Sequence, residues 1–428
     1  MLLRRLGQRY GLVDLVHLSC YGSWQANHPE LACGRKRGFS YYRHKAGEPF
    51  HEGERHENSL LVAASAGDEV ADTHWYRPEV DQFLFNQAIA SGAEDVTGYR
   101  VEVQMPRRES RLLLTEVGGT TKRELQSDWV IDASGRSSVL AQLAGARSRH
   151  DQLRTNTYSV FAHFDNVGSW RERLVQFGGG VGDDPFDTDD AAQHHLLDEG
   201  WLWMLRFDNG VTSLGLTSAA SQPTWNISRY PSLVAMLSGA SIVAPGNRPV
   251  QSGRIQRLFD PVIDRRSLML PTAAVAIDPL HSTGIAHGLA GVDRVATIIL
   301  GVDDRSREEL IERYQQAVLG EAQLLDRLVD TAYQTMGDFP RFVAACMLYF
   351  AGAICCEQRY GEGDSPTQLW NADDPAFGRV VHEACDRLLS DAGEDVTDKI
   401  RTAIEPWNTS GLLDPDLNNR YAYTATKF

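Results

Sequence analysis

Two short segments of this 428-residue chain put small residues where backbone amides must come close to a ligand. The first is Trp129-Val130-Ile131-Asp132-Ala133-Ser134-Gly135-Arg136, an apolar strand that ends in a small-residue turn. A glycine after a buried strand lets main-chain N–H groups reach a phosphate or ribose, and the same turn also serves as a plain strand end. The second is Ile277-Asp278-Pro279-Leu280-His281-Ser282-Thr283-Gly284-Ile285, which opens the helically spaced AHGLAGVDRVATII. Pro279 and Gly284 shape a tight turn there, and the amides at the start of the following helix stabilise negative charge.

Four other places carry reactive or anchoring side chains. Trp201 and Trp203, in Gly200-Trp201-Leu202-Trp203-Met204-Leu205, stand at i and i+2 and share one strand face, where they either pack a core or face a substrate. Lys36 sits in Gly34-Arg35-Lys36-Arg37-Gly38; a lysine there is a solvated cation unless partial burial makes its amine nucleophilic, and Lys45 is a weaker candidate. Arg77 follows His74-Trp75-Tyr76 and serves either an anion or a surface ion pair. His281 serves as an acid or base, or as a hydrogen-bonded structural residue, whereas His194-His195 reads as structural. No His/Cys/carboxylate group has metal-ligand spacing, so no metal site is expected.

Taken together, the segments around Asp132 and Asp278 resemble those of flavoprotein hydroxylases and halogenases. The resemblance implies that both loops face FAD, through Asp132 and Gly135 in the first and Asp278, Pro279, Ser282, Thr283, Gly284 and Ile285 in the second. His74-Trp75-Tyr76-Arg77-x-x-Val80-Asp81 resembles the family's Arg-x-x-x-Asp segment and so implies Arg77 near the flavin phosphates. Gly200 to Leu205 resembles the Trp-x-Trp-x-Ile-Pro signature of flavin-dependent halogenases, in which the tryptophans discourage direct oxygenation of the substrate. Lys36 resembles the lysine of a Lys-x-Gly position that receives or guides hypohalous acid. Trp201, Trp203 and His281 would then lie on the substrate side.

The resemblance spans residues 1 to about 300. It implies a cytoplasmic FAD-dependent oxidoreductase of the halogenase or monooxygenase type. Such an enzyme takes FAD reduced by a separate flavin reductase, O2, and chloride or bromide, and acts on a small electron-rich organic substrate, free or carrier-tethered. Three departures keep other readings open. No GxGxxG occurs, and the chain opens on a helix with no preceding βαβ unit, which normally holds the FAD pyrophosphate. Pro271-Thr272 stands where the family pattern has Gly-Asp, which removes a backbone donor and the carboxylate that bonds the ribityl chain. Leu205-Arg206 replaces Ile-Pro, and His281 stands where tryptophan-specific members carry Glu, which argues against free tryptophan as substrate. A hydroxylase or dehydrogenase without halide chemistry, and a non-catalytic or truncated family member, are the competing readings.

The elements that must position these residues follow from hydrophobic periodicity. Helical spacing runs from Leu2 to about Leu18 and from Val80 to Ser91. VTGYRVEVQM, RLLLTEVGG and KRELQSDWVIDASG alternate as a small antiparallel sheet, and GWLWMLRFDNGVTSLGLTS reads as a hairpin turning at Asp208-Asn209-Gly210. Gly178 to Asp190 reads as a solvated acidic loop, and the apolar run Phe342 to Cys356 as a buried helix, too short to span a bilayer. The fold expected is α/β with α+β features. A Rossmann-like FAD/NAD(P)-binding domain, N-terminally incomplete, comprises residues 1–155 with 255–304. An antiparallel substrate-facing sheet follows at 156–254, and a helical C-terminal cap at 305–428. A net charge of −15 without a basic stripe excludes nucleic acid as a partner. Six scattered cysteines give no disulfide scaffold, and no integral membrane segment or secretory signal is expected.

Overall fold

The computed structural model describes residues 1–104, 110–301, 303–364, 366–390 and 396–423. It divides into two compact units, one made of Met1–Tyr76, Arg154–Ile255 and Leu324–Phe428, the other of Arg77–Leu153 and Gln256–Gln323.

Among the described residues, a nine-stranded sheet organises the first unit. Its path runs Ser241–Ala244, Tyr158–Asp165, Thr212–Ser218, Gly200–Arg206, Ala191–Leu197, Gly38–Arg43, Ser59–Ala63 and Arg420–Tyr421, with Val250–Arg254 also paired to Tyr158–Asp165. Most pairs are antiparallel. Gly38–Arg43 runs parallel to Ala191–Leu197, with Gly38 opposite Ala191 and Arg43 opposite Leu196. Gly38–Arg43 and Ser59–Ala63 lie in the segment that the sequence assigns to the nucleotide-type domain, and here they hydrogen-bond within the large sheet. Their side chains are almost all buried, which suits a sheet covered on both faces.

The two faces follow from alternation along the strands. Tyr42, Leu202, Met204 and Leu214 pack with Trp170 and Leu174 of helix Trp170–Gln176 and with Leu233 and Met236 of helix Pro231–Met236. On the opposite face, Phe39 meets Phe350 at a ring separation of 5.3 Å and Tyr41 meets Phe342 at 5.5 Å, both from helix Phe339–Gly361. That helix is long and apolar enough to cross a membrane by length and composition, yet 72% of its apolar window is buried inside the protein. The hairpin turns where expected: Phe207 N donates to Val211 O at 2.9 Å, and Gly210 takes φ 83°, a value L side chains rarely adopt.

Two local expectations are corrected. The N-terminal helix is two, Leu2–Tyr10 and Val13–His17, because Gly11 ends the first with φ 68° and its N–H bonded back to Gly7 O. The acidic stretch 178–190 is a strap tied into the unit. Phe186 joins the core, and Asp184 accepts from Arg420 Nε at 2.7 Å with both side chains almost wholly buried. Arg420 supplies the charge that lets Asp184 sit inside, and Arg206 pairs with the partly buried Asp189 at 3.2 Å, while Gly178, Gly180, Gly182, Asp183 and Asp187 stay exposed.

In the second unit, Val130–Asp132 lies parallel to Ser267–Met269, Met269 opposite Asp132, and Val262–Asp264 extends this sheet. Tyr99–Gln104, Ser110–Glu116 and Lys122–Ser127 form the expected antiparallel sheet, but its third strand stops at Ser127, whose Oγ accepts from Trp129 N at 3.2 Å, and Val130–Asp132, expected to continue it, joins the parallel pair instead. Helices Arg77–Ala90, Val139–Leu143 and Gly284–Ile299 accompany them. Tyr314 fixes its helix to the parallel pair by donating to Met269 O.

Candidate functional site

Both glycine-bearing loops belong to the second unit, and the parallel strands bring them together. The Asp132 loop leaves the C-terminal end of Val130–Asp132, and the chain leading to the Asp278 loop leaves the same end of the adjacent Ser267–Met269. Open α/β sheets bind ligands at that end of their strands. Asp132 is buried and its carboxylate is spent locally: Oδ1 accepts from Ser134 N and Oδ2 from Leu140 N, each at 2.8 Å. It therefore orders the turn and starts helix Val139–Leu143. Gly135 takes φ 58° with open space on its Cβ side, as a backbone approached by a ligand requires. Ser138 Oγ then donates to Ala273 O at 2.8 Å, clasping this loop to the short helix Pro271–Ala274.

The second loop is built the same way. Asp278 is buried and its Oδ1 accepts from Leu280 N at 3.0 Å, while Ser282 N donates to Pro279 O at 2.9 Å to close the turn. Ser282 has φ 53°, a left-handed conformation that costs a non-glycine residue energy and marks a constrained loop. Thr283 stands at the helix N-cap without a side-chain cap bond, so the first amides of Gly284–Ile299 keep their donor capacity. Gly284 has open space on its Cβ side, and Ile285 is exposed. Uncapped amides at a sixteen-residue helix start, beside two ordered turns, fit the anionic parts of a flavin nucleotide.

Pro271 and Thr272 have a structural account here. A Cβ on Gly291 would lie 2.1 Å from Pro271 Cδ, so the proline ring rests directly on the glycine face of helix Gly284–Ile299. Thr272 is exposed and its carbonyl accepts from Arg257. His281 is 1% exposed, folded under the turn. Arg77 opens its helix and forks onto Asp81 at 2.7 and 2.9 Å, an exposed i,i+4 pair. Spacing did not single out the group behind this loop: Glu321, wholly buried, lies 3.0 Å from His287 Nε2 and takes both terminal nitrogens of Arg294. Burial alone would raise its carboxyl, but Arg294 and the His287 hydrogen bond outweigh that and lower it to about 2. The signal available in the sequence was His287 and Arg294 seven residues apart on one helix face.

In the first unit, Phe39 and the tryptophan pair lie on the sheet face covered by helix Phe339–Gly361, and Lys36, on a separate two-stranded sheet, reaches that face at Phe39. Strand Cys33–Lys36 pairs with Asp72–Trp75, Lys36 opposite Asp72. Lys36 Nζ stands 4.2 Å from the centre of the Phe39 ring, and the ammonium is partly buried. A row of rings leads away from it. Phe39 lies 6.2 Å from His194, His194 5.1 Å from Trp201, and Trp201 6.0 Å from Trp203. Trp201 is fully buried and donates Nε1–H to Tyr333 at 2.7 Å; Trp203 is half-buried and donates to Ser213 at 3.3 Å. His74, buried near Lys36, is lowered to about 3 by its burial and further by the Lys36 charge, so it stays neutral. Lys45 is exposed and paired with Glu48 at 2.6 Å. Arg206, at the place of the signature proline, anchors the strand end through Asp189 and the Val167 carbonyl.

His195 points to the opposite face, bonded to His44 at 3.0 Å and to Gln193 at 3.2 Å. Burial lowers His44 to about 3 and His195 far below its ordinary range. The cysteines are free thiols, and Cys33 is pushed up to about 12 by burial and by Asp208.

Parallel strand ends carrying two glycine turns in one unit, and a mostly antiparallel sheet bearing paired tryptophans in the other, define a two-unit α/β architecture. The chain belongs to the tryptophan halogenase family, whose model matches residues 73–338. It is 23% identical over 381 residues to the tetracycline 7-halogenase of Kitasatospora aureofaciens, covering 83% of this chain and 65% of that protein. It is 25% identical over 378 residues to the monodechloroaminopyrrolnitrin halogenase PrnC of Pseudomonas fluorescens, covering 82% and 62%. The chain thus spans somewhat less than two thirds of these relatives. Its fold is that of halogenase PltM, solved in complex with phloroglucinol and FAD: the TM-score is 0.82 at 19% identity, over 97% of this chain and 89% of that one.

Proposed function

We propose that this protein is a cytoplasmic FAD-dependent halogenase acting on a small electron-rich organic molecule, free or carrier-tethered, with flavin reduced by a separate reductase. Membership of the halogenase family and the relatives' activities support the reaction class. Asp132 and Asp278 hold the two turns, and the amides of Gly135, Gly284 and Ile285 would bind the cofactor's anionic groups, with Pro279, Ser282 and Thr283 shaping the approach. Arg77 would add a positive charge for a phosphate once released from Asp81. When bound, reduced FAD supplies, with O2 and chloride or bromide, the electrophilic halogen.

The observation that carries the reading is Lys36. Its ammonium rests on the Phe39 ring beside a neutral, buried His74, and Phe39 begins the row of rings that reaches Trp201 and Trp203. A ring face and a partly buried setting hold the amine in one place, and a fixed amine directs an electrophile better than a solvated one. Trp203, half-buried, offers its indole to the approach, while Trp201, fully buried, packs beside it and His281, buried under its own turn, reads as structural.

The test is a turnover assay with added flavin reductase and halide, comparing the protein with Lys36→Ala. Loss of halogenated product with continued flavin oxidation is the expected result; product formation at the original rate removes Lys36 from the mechanism. Arg206 in place of the signature proline favours a second reading, a hydroxylase of the same family. That reading predicts equal turnover in halide-free buffer.

A further inference from the structure

The N-terminal helices carry a side-chain cluster that the halogenase reading does not use. Asp14 and His17 lie one turn apart on helix Val13–His17, and His28 is the C-cap of helix Tyr21–Asn27. Both imidazoles converge on one oxygen. Asp14 Oδ1 is 3.2 Å from His28 Nε2 and 3.9 Å from His17 Nδ1, and the three donor atoms all lie within 4.8 Å of one another. In a tetrahedral zinc site with bonds of about 2.0–2.1 Å, neighbouring ligand atoms are about 3.4 Å apart. The Asp14–His28 contact is already at that spacing, and His17 closes on a metal by drawing in through ordinary side-chain motion.

A second feature points the same way. The other ring nitrogen of His28, Nδ1, faces Glu30 Oε1 at 3.6 Å. Metal-bound imidazoles commonly give their second N–H to a carboxylate, which fixes the tautomer and strengthens the donor. Here the nitrogen aimed at Asp14 and the nitrogen aimed at Glu30 belong to the same ring, so orienting one presents the other. All three ligands are partly exposed, with side-chain exposures of 30% for Asp14, 28% for His17 and 13% for His28, so water can reach a fourth position. Two neutral imidazoles and one carboxylate suit a borderline divalent ion such as zinc better than calcium or magnesium, which take oxygen ligands.

We propose that Asp14, His17 and His28 form a zinc site that locks the five-residue helix Val13–His17 onto the end of helix Tyr21–Asn27. So short a helix is marginal without tertiary support, and a metal shared with its neighbour supplies that support. The proposal does not depend on the halogenase reading.

The probe is zinc chloride, titrated calorimetrically into the whole chelator-treated protein, with amide hydrogen exchange read before and after. Saturation at one equivalent, with slower exchange in residues 13–28, is expected. His17→Ala and His28→Ala should each abolish the saturable heat while their circular dichroism stays that of the parent. Glu30→Gln should weaken binding by roughly 10–100-fold. No saturable binding, or binding that survives both histidine substitutions, overturns the site.

Discussion

Glu321 Oε2 lies 3.0 Å from His287 Nε2, and its carboxylate also grips Arg294, so one buried acid holds two residues of the helix that opens at Gly284. The helix whose first amides face the flavin-type turn is thereby fastened from behind.

Glu321→Gln should cost about 3–5 kcal/mol of stability, the usual result of leaving one member of a buried charge pair alone. Urea unfolding of the two proteins at neutral pH measures it. Because the folded carboxyl is lowered to about 2 from an ordinary 4.5, its contribution is complete above pH 4.5 and lost as pH falls through 2. The gap between parent and variant should therefore narrow over that window.

The buried histidines act at higher pH. His44 and His74 are each lowered to about 3 from an ordinary 6.5. Above pH 6.5 both states are neutral at these rings. Below it the unfolded chain takes up protons that the folded one refuses, so stability falls as pH drops from 6.5 towards 3. The slope should be about 1.4 kcal/mol per pH unit for each such ring. Denaturation midpoints of His44→Gln against the parent between pH 7 and 5 check it: the variant should be the less pH-sensitive protein.

Gly291→Ala should loosen the nucleotide-type loop. The new methyl would meet Pro271 Cδ at 2.1 Å, and a proline ring packed on a helix has nowhere to turn. Overpacking of this kind costs about 1–3 kcal/mol. A lowered melting temperature together with weaker FAD binding by fluorescence titration is expected; weaker FAD binding should be absent from the mirror control Gly378→Ala, where the added Cβ meets open space.

Trp201→Phe keeps an aromatic ring against His194 but removes the hydrogen bond to Tyr333. The stability loss should be about 1 kcal/mol or somewhat more, since Tyr333 loses a partner in a largely buried setting. If the indole also shields the substrate from direct oxygenation, the ratio of oxygenated to halogenated product rises in the variant, read by mass spectrometry.

Lys36→Arg offers a narrower check than removal. Arginine can keep the contact with the Phe39 ring, yet its guanidinium is never neutral and is a poor nucleophile. Folding should be unchanged and halogenated product should fall by at least about 100-fold, the scale of losing a positioned catalytic group.

Much of this was readable before any coordinates. The hairpin at Asp208-Asn209-Gly210, the strands around residues 99–127, the buried helix at Phe342 and the two glycine turns all follow from local rules, because period-2 and period-3.6 patterns and left-handed glycines act over a few residues. The motif resemblance followed for the same reason, since a turn that holds a backbone near a ligand needs contiguous residues. Sequence alone also left Trp201 and Trp203 on one strand face, and the structure keeps them there.

What only the tertiary structure decided are relations between residues far apart in the chain. Strands 38–43 and 59–63 joined the large sheet, since pairing depends on which buried edge is available and not on sequence order. Asp184 of the acidic stretch went inside because Arg420, more than two hundred residues away, pairs with its carboxylate. Pro271 found a glycine to rest on, Glu321 met Arg294 and His287 of another helix, and Asp14, His17 and His28 converged without any spacing that announces a metal. Periodicity encodes which face is buried; which charge meets which partner is settled only when the chain has closed on itself, because desolvation forces each buried ion to find its counterion in three dimensions.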